Sequence, residues 1–294
     1  MKKLRYSVLR GMWRTVVAAL ALCHLLVRPA FASEPGLVSI DFCADQYLLA
    51  LADRADIQAV SFEAPLARSY HRERAKGLPT VRGSLEELLM MRPKKVLRTW
   101  RGGPRAGKIL DAAGISSFQP PFAYSLASNF ETFLAVGAEI GRSAEAEALV
   151  ESQKKRLRAL EAQPRSALKA VYMTPSGFTA GTGTFVDSII KLAGFDTVSE
   201  GAGIRSWASL PLEKMVLSPP DFVVASFFGD DDVLVSYWSS GRHGVADRMM
   251  ANLPTIHIPS DYLSCSGAFS VDAAEFIRAE ASRSGLLDTG EEAN

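Results

Sequence analysis

The chain has 294 residues, 48% hydrophobic and 22% charged, enough for one large or two medium globular units. Its 33 Lys and Arg against 32 Asp and Glu exclude a nucleic-acid binder that works by bulk charge. Three cysteines with no CxxC spacing exclude a disulfide scaffold and a zinc ribbon.

The first predicted element is an export signal. Residues 1–32 hold Lys2, Lys3, Arg5, Arg10, Arg14 and Arg28 and no acid. An apolar run from Val16 to Val27 precedes Ala30-Phe31-Ala32. A basic start, a short apolar core and an A-x-A site predict a cleaved secretory signal over 1–32 and a periplasmic mature chain. The run is shorter than the roughly 20 residues of a membrane span. Cys23 offers a lipoprotein alternative, although Leu22 before it is large for such a site.

Strands and helices then alternate. Leu37 to Ile40, Ile57 to Ser61, Lys95 to Thr99 and Ile115 to Phe118 read as strands. Asp45 to Leu51, Leu85 to Met91 and Gly107 to Ala113 read as helices, the last ended by Gly114. From Asn129 to Gln163 the helical signal runs long, broken at Gly141-Arg142-Ser143. After Pro164 the alternation restarts with Ala170 to Met173. This pattern predicts an α/β chain with mostly parallel sheets. The expected boundaries are an N-terminal lobe over 33–140, a connecting helix over 141–166, a C-terminal lobe over 167–284 and a flexible tail over 285–294.

An internal repeat supports two similar lobes. Ser84 to Trp100 matches Pro211 to Phe227 in register: Leu85 with Leu212, Glu86 with Glu213, Pro93 with Pro220, Val96 with Val223, and Trp100 with Phe227 in kind. Each copy reads as a short helix, a proline stop and a buried strand ending in an aromatic residue. Ligands of open parallel sheets sit beyond the carboxyl ends of the strands, which places Trp100 and Phe227 where two lobes face each other.

No catalytic constellation stands out. The chain lacks a G-x-S-x-G elbow and an H-E-x-x-H pair, so no enzyme is expected. A secreted α/β hydrolase and a bare metal-ion binder remain the alternatives. His257, within Thr255 to Ile258, reads as a core histidine. The run Asp230-Asp231-Asp232 reads as a solvated loop or a weak cation site. Gly177 to Gly183 reads as a tight strand-to-helix turn, and the N–H groups around Gly181 as donors for a ligand. Cys43 and Cys265 are open to three readings: a disulfide, two buried thiols or a soft-ligand pair.

Several segments carry a family resemblance. They are Val38 to Asp45, Gly83 to Leu88 with Pro93, Ala180 to Asp187, Ser206-Trp207, Leu212-Glu213 and Pro259 to Tyr262. In this order, with a long mid-chain helix, the chain resembles the class III periplasmic solute-binding proteins of ABC importers, which carry cobalamin, ferric siderophores and haem. The resemblance implies two Rossmann-like lobes joined by one rigid backbone helix. It implies a monomer without a resident cofactor or catalysis, delivering a small-molecule metal chelate to a membrane permease and its ATPase. Family members dock through one exposed glutamate on each lobe, and the matching positions are Glu86 and Glu213. Trp100-Arg101-Gly102-Gly103 is similar to a segment of the vitamin B12-binding members, and Trp207 falls at an aromatic contact of theirs, so a corrinoid is the favoured cargo.

A large, flat, partly apolar chelate needs aromatic faces and a few polar fixers. The candidates are Trp100, Tyr124, Trp207, Phe227 and Tyr262, with Phe178 and Phe228 as further rings. Arg101, Arg98 and Arg205 are candidate partners of carboxylates or phosphate, each also readable as a surface arginine. An axial ligand to haem iron from His71 or Tyr262 has no support in spacing.

Overall fold

The computed structural model describes residues 36–227, 243–265 and 269–287. The expected signal, Phe228, the Asp230 to Asp232 run and the last residues of the expected tail lie outside the described residues. A first lobe is built from β1 (Leu37–Ser39), α1 (Phe42–Leu51), β2 (Ile57–Ser61), α2 (Arg72–Ala75), β3 (Thr80–Val81), α3 (Leu85–Met91), β4 (Lys95–Leu97), α4 (Ala106–Ala112) and β5 (Ser116–Phe118). All its strands are parallel, in the order β3-β2-β1-β4-β5. Side chains alternate across this sheet: Leu37 enters the core on the α1 side, and Val38 the core with Leu88 of α3 and Leu110 of α4. Helix α1 begins at Phe42, earlier than the expected Asp45, because the Asp41 side chain caps it.

Two helices follow, α5 (Leu126–Ile140) and α6 (Ser143–Glu161), separated by Gly141 in the left-handed conformation. They pack closely at Gly137, where an added Cβ would lie 2.4 Å from the Ala146 Cβ. Within the stretch 141–166, the helix therefore occupies Ser143–Glu161. Ala146 and Val150 of α6 enter the first-lobe core, Leu160 enters a second core, and Leu157 packs against both. At 1.5 Å per residue this helix is about 28 Å long, the reach needed to serve two cores.

The second lobe is built from β6 (Lys169–Met173), β7 (Phe178–Ala180), α7 (Phe185–Leu192), β8 (Asp196–Thr197), β9 (Trp207–Ser209), α8 (Leu212–Leu217), β10 (Phe222–Ser226), α9 (Gly244–Asn252), β11 (Thr255–Ile258) and α10 (Ser270–Arg283). Its main sheet is parallel, in the order β11-β10-β6-β8, and β7 pairs with β9 as an antiparallel ribbon. The fold is thus α/β with two Rossmann-like lobes, as the sequence predicts. The repeated strands take equivalent places: β4 lies between β1 and β5, and β10 between β6 and β11.

Three readings need correction. His257 is exposed, not part of the core: β11 is an edge strand, and Ile256 and Ile258 take its buried positions while His257 faces outward. Arg98 is buried rather than solvated, with Nη1 donating to the Gly103 carbonyl at 3.3 Å. Leu286 is buried and Leu287 packs on the second core, so packed chain continues past residue 284.

Candidate functional site

The first-lobe strand order reverses between β1 and β4, the switch point where parallel sheets hold ligands. Asp41 knits this point together. Its buried carboxylate accepts the Ala44 N–H at 2.9 Å and the Thr99 N–H at 2.7 Å, and the Thr99 hydroxyl donates to it as well. The next residue, Trp100, stands 53% exposed at the end of β4. The Arg101 guanidinium lies 4.7 Å from the Trp100 ring and 5.2 Å from the Phe62 ring. It donates to Glu63 at 2.6 Å, and Glu63 also takes Arg68 at 2.9 Å. Arg101 is therefore a paired cation that holds Trp100, not a free partner for anionic cargo.

On the second lobe, Trp207 lies in the β7–β9 ribbon opposite Ala180 and meets the Tyr172 ring edge-on at 5.8 Å. Gly181 makes this ribbon possible, because an added Cβ would lie 2.6 Å from the carbonyl oxygens of Ile204 and Ser206. Its N–H donates to the Ser206 carbonyl at 2.8 Å. The expectation that it serves a ligand is corrected: Gly181 is a structural glycine. At the end of β10, Phe227 adopts φ +64°, a left-handed conformation unusual for an aromatic residue.

Two cavities flank the short 3₁₀ turn Ser260–Tyr262. One, of 220 Å³, takes Phe122 and Tyr124 from the first lobe and Phe185, Trp207 and Tyr262 from the second. None of the described residues lining it is charged. The other, of 370 Å³, is lined by Arg72, Phe227, His257 and Asp261, with Arg72 donating to Asp261 at 2.5 Å across the lobes. The fold thus brings Tyr124, Trp207 and Tyr262 to one cavity and Phe227 to its neighbour. Trp100 and Arg101 belong to the first lobe outside the linings of both cavities, Gly181 just past the end of β7 lines neither, and Phe178 and Arg205 stay exposed. Phe122, Glu63, Arg72 and Asp261 were missed by sequence reasoning. Phe122 carried a signal there as the aromatic neighbour of Tyr124, and Asp261 only as a member of the segment Pro259 to Tyr262.

One side of the cleft is tied shut. Cys43 of α1 and Cys265 form a disulfide, with Cα atoms 5.4 Å apart. Tyr70 stacks on Phe269 at 3.8 Å and meets Tyr262 at 5.4 Å. Arg156 of α6 donates to Asp272 at 2.8 Å and Glu275 at 2.9 Å, both on α10. Burial raises the pKa of the Tyr70 and Tyr262 hydroxyls. Burial, helped by nearby Arg74, pushes His71 down to about 4, so it is neutral at pH 7 and packed against Tyr70 and Phe269. That packing does not present His71 as an axial ligand. Among the described residues, no group of three or more His, Cys, Asp or Glu is placed to hold a metal ion.

The two repeat glutamates are exposed in the first turns of α3 and α8. The Glu86 backbone N–H and the Ser84 hydroxyl hold the Glu86 carboxyl below the usual range.

A family model described as periplasmic binding protein matches residues 68–255. No curated protein matches the chain. Among solved structures, the periplasmic haem-binding protein HutB of Vibrio cholerae is similar at TM-score 0.67 and 22% identity, over 84% of this chain and 98% of that one. The haem-binding protein RhuT of Roseiflexus sp. RS-1 gives 0.64 and 21%, over 84% and 99%. An ABC-type Fe³⁺-hydroxamate transport protein of Saccharomonospora viridis gives 0.60 and 19%, over 83% and 93%. At these identities the likeness is one of fold.

Proposed function

The chain belongs to the periplasmic binding protein family, and from that premise we propose that it is the cargo receptor of an ABC importer, exported by residues 1–32, taking an uncharged metal chelate between its lobes. The observation that carries this reading is the 220 Å³ cavity, where aromatic residues of both lobes converge without a charged side chain among the described residues. Rings of this kind suit a large, partly apolar ligand. Arg72 in the neighbouring cavity and Arg101 on the first-lobe side are already paired with Asp261 and Glu63. A corrinoid with amide side chains and a neutral ferric trihydroxamate both fit that balance. An anionic tris-catecholate does not, because burying unpaired charge is costly. The haem-binding neighbours favour haem as a second reading. Haem carboxylates must then displace Glu63 or Asp261 from its arginine.

The loaded receptor docks on its permease through Glu86 and Glu213, which meet basic side chains there. No chemistry is performed on the cargo.

The test is calorimetric titration of purified residues 33–294 with cyanocobalamin, ferrichrome, haemin and a ferric tris-catecholate. Submicromolar binding of cyanocobalamin or ferrichrome, lost on Trp207→Ala, is the expected result. Tight binding of the anionic chelates alone refutes the charge argument. Binding of none refutes the cargo class.

A further inference from the structure

The repeat holds more than its glutamates. Among the described large hydrophobic residues, the two most exposed are Met90, at 86%, and Leu217, at 85%. They are repeat equivalents, one in each lobe. So are the exposed Leu89 and Val216 immediately before them, and the buried Leu88 and Met215. An isolated exposed apolar side chain means little. The same exposed pair, on the same helix, in the same register in both lobes is a pattern.

Helix geometry joins each pair to its glutamate. Residues three and four apart lie on one face, so Glu86 shares a face with Leu89 and Met90, and Glu213 with Val216 and Leu217. Each lobe thus presents one acid and two apolar side chains from one short helix. The 530 Å³ cavity beside Leu217 is lined by Lys169, Lys191, Lys214, Asp196 and Glu200 as well as Val198 and Ala202, so the apolar patch ends at Leu217.

We propose that the apolar pairs Leu89/Met90 and Val216/Leu217 are the second half of the docking surface, and that its occupant is the periplasmic face of the importer's permease, a membrane protein with two equivalent patches of basic and apolar side chains. This rests on the docking reading given above. The acids require basic groups opposite them, and the duplicated patch requires a partner whose own surface is duplicated. A soluble partner of arbitrary shape has no reason to match both lobes. The acids give orientation and the rate of encounter, whereas the apolar pairs supply the desolvated contact that holds the complex.

The test uses the full chain in its own cells. A benzophenone amino acid at position 90, and separately at position 217, is expected to cross-link to the same ABC permease. The same probe at exposed Ile109 of α4 is the control and should not. Met90→Ser with Leu217→Ser is expected to cut uptake of radiolabelled cyanocobalamin or ferrichrome at least tenfold, with binding in solution and melting unchanged. Cross-links only to a second copy or to soluble proteins, or unchanged uptake in that double variant, overturn the proposal. The underlying reading is separated by Glu86→Lys with Glu213→Lys. If that pair alone stops uptake, the glutamates dock without the apolar pairs. If it is silent while both cross-links persist, the apolar pairs dock without the glutamates.

Discussion

The two copies of the helix–proline–strand unit agree at one end and diverge at the other. At the helix end, Glu86 and Glu213 are exposed, Leu88 and Met215 buried, and Met90 and Leu217 almost bare. At the strand end, Thr99 is bonded to Asp41 and Trp100 leans on Arg101, whereas the Ser226 hydroxyl donates to the Ile258 carbonyl and Phe227 turns left-handed into a cavity. A partner with two equivalent faces asks the same of both lobes. A single ligand lying between the lobes asks something different of each. On the proposed function, the end that matches is the one that meets the permease, and the end that differs is the one that meets the cargo.

The strongest way to break this comparison is to untie the lobes. The Cys43–Cys265 bond closes a separation of 222 residues between the first and second lobes. Exchange of both cysteines for Ser is expected to cost about 2–5 kcal/mol in unfolding free energy. Urea melts of the oxidised protein and the double variant check it. A change below the error of such melts means that Tyr70 on Phe269 and Arg72 on Asp261 hold the lobes by themselves.

A buried acid in each lobe gives the next effect. Asp45 of α1 accepts the Ser61 N–H at 2.8 Å and hydroxyls from Ser39 and Ser61, while Asp187 of α7 accepts the Thr197 hydroxyl at 2.6 Å and pairs with Lys191 at 2.9 Å. Asp45 has no such cation, and desolvation pushes its carboxyl up to about 6. A raised carboxyl pKa favours the fold fully below the unfolded value of 3.8, and that stability is lost as pH rises through about 6. The span corresponds to about 3 kcal/mol. His71, lowered to about 4, acts in the opposite sense: its stability is lost as pH falls from 6.5 towards 4. The wild type is expected to show a shallow profile over that range. Asp45→Asn is expected to show stability rising with pH from about 4 to 6.5, read from melting midpoints. A flat profile in Asp45→Asn removes the histidine half of the account.

Ligand contacts come next. Trp207→Ala removes a ring that lines the cavity, and a loss of about 2 kcal/mol, or about thirty-fold in Kd, is expected. Trp100→Ala should cost less, because Trp100 stands outside both cavities. Equal losses, measured by titration with the bound chelate, place the cargo on the first-lobe wall instead.

Local patterns explain what the sequence made legible. Helix α3 runs over Leu85–Met91, stopped before Pro93, and β2 occupies Ile57–Ser61, both with the bounds the sequence predicts. The repeat marked β4 and β10 because both copies use the same local rules. Pairings between distant segments were not legible. Arg72 meets Asp261 across 189 residues, and nothing near Arg101 in the chain marks Glu63 as its partner. The N–H of Gly181 read as a donor for a ligand because a glycine that admits a neighbouring strand and one that admits a ligand read alike. His257 looked buried because Thr255 to Ile258 does not say which strand lies at the edge.

The smallest effect concerns the two repeat helices themselves. The Ser84 hydroxyl accepts the Glu87 N–H at 3.2 Å, and the Glu87 carboxylate accepts the N–H groups of Arg82 at 2.9 Å and Gly83 at 3.0 Å. Helix α8 begins at Leu212, and its N-cap residue Pro211 makes no side-chain cap. Ser84→Ala therefore removes one of several ties, and a loss of about 0.5–1 kcal/mol is expected, at the low end for a cap. A helix of seven residues has few hydrogen bonds of its own, so the loss should appear locally. Amide exchange in α3 is expected to quicken about two- to five-fold while exchange in α8 stays as it was. Equal quickening in both helices means that their stability comes from the shared lobe cores, not from their caps.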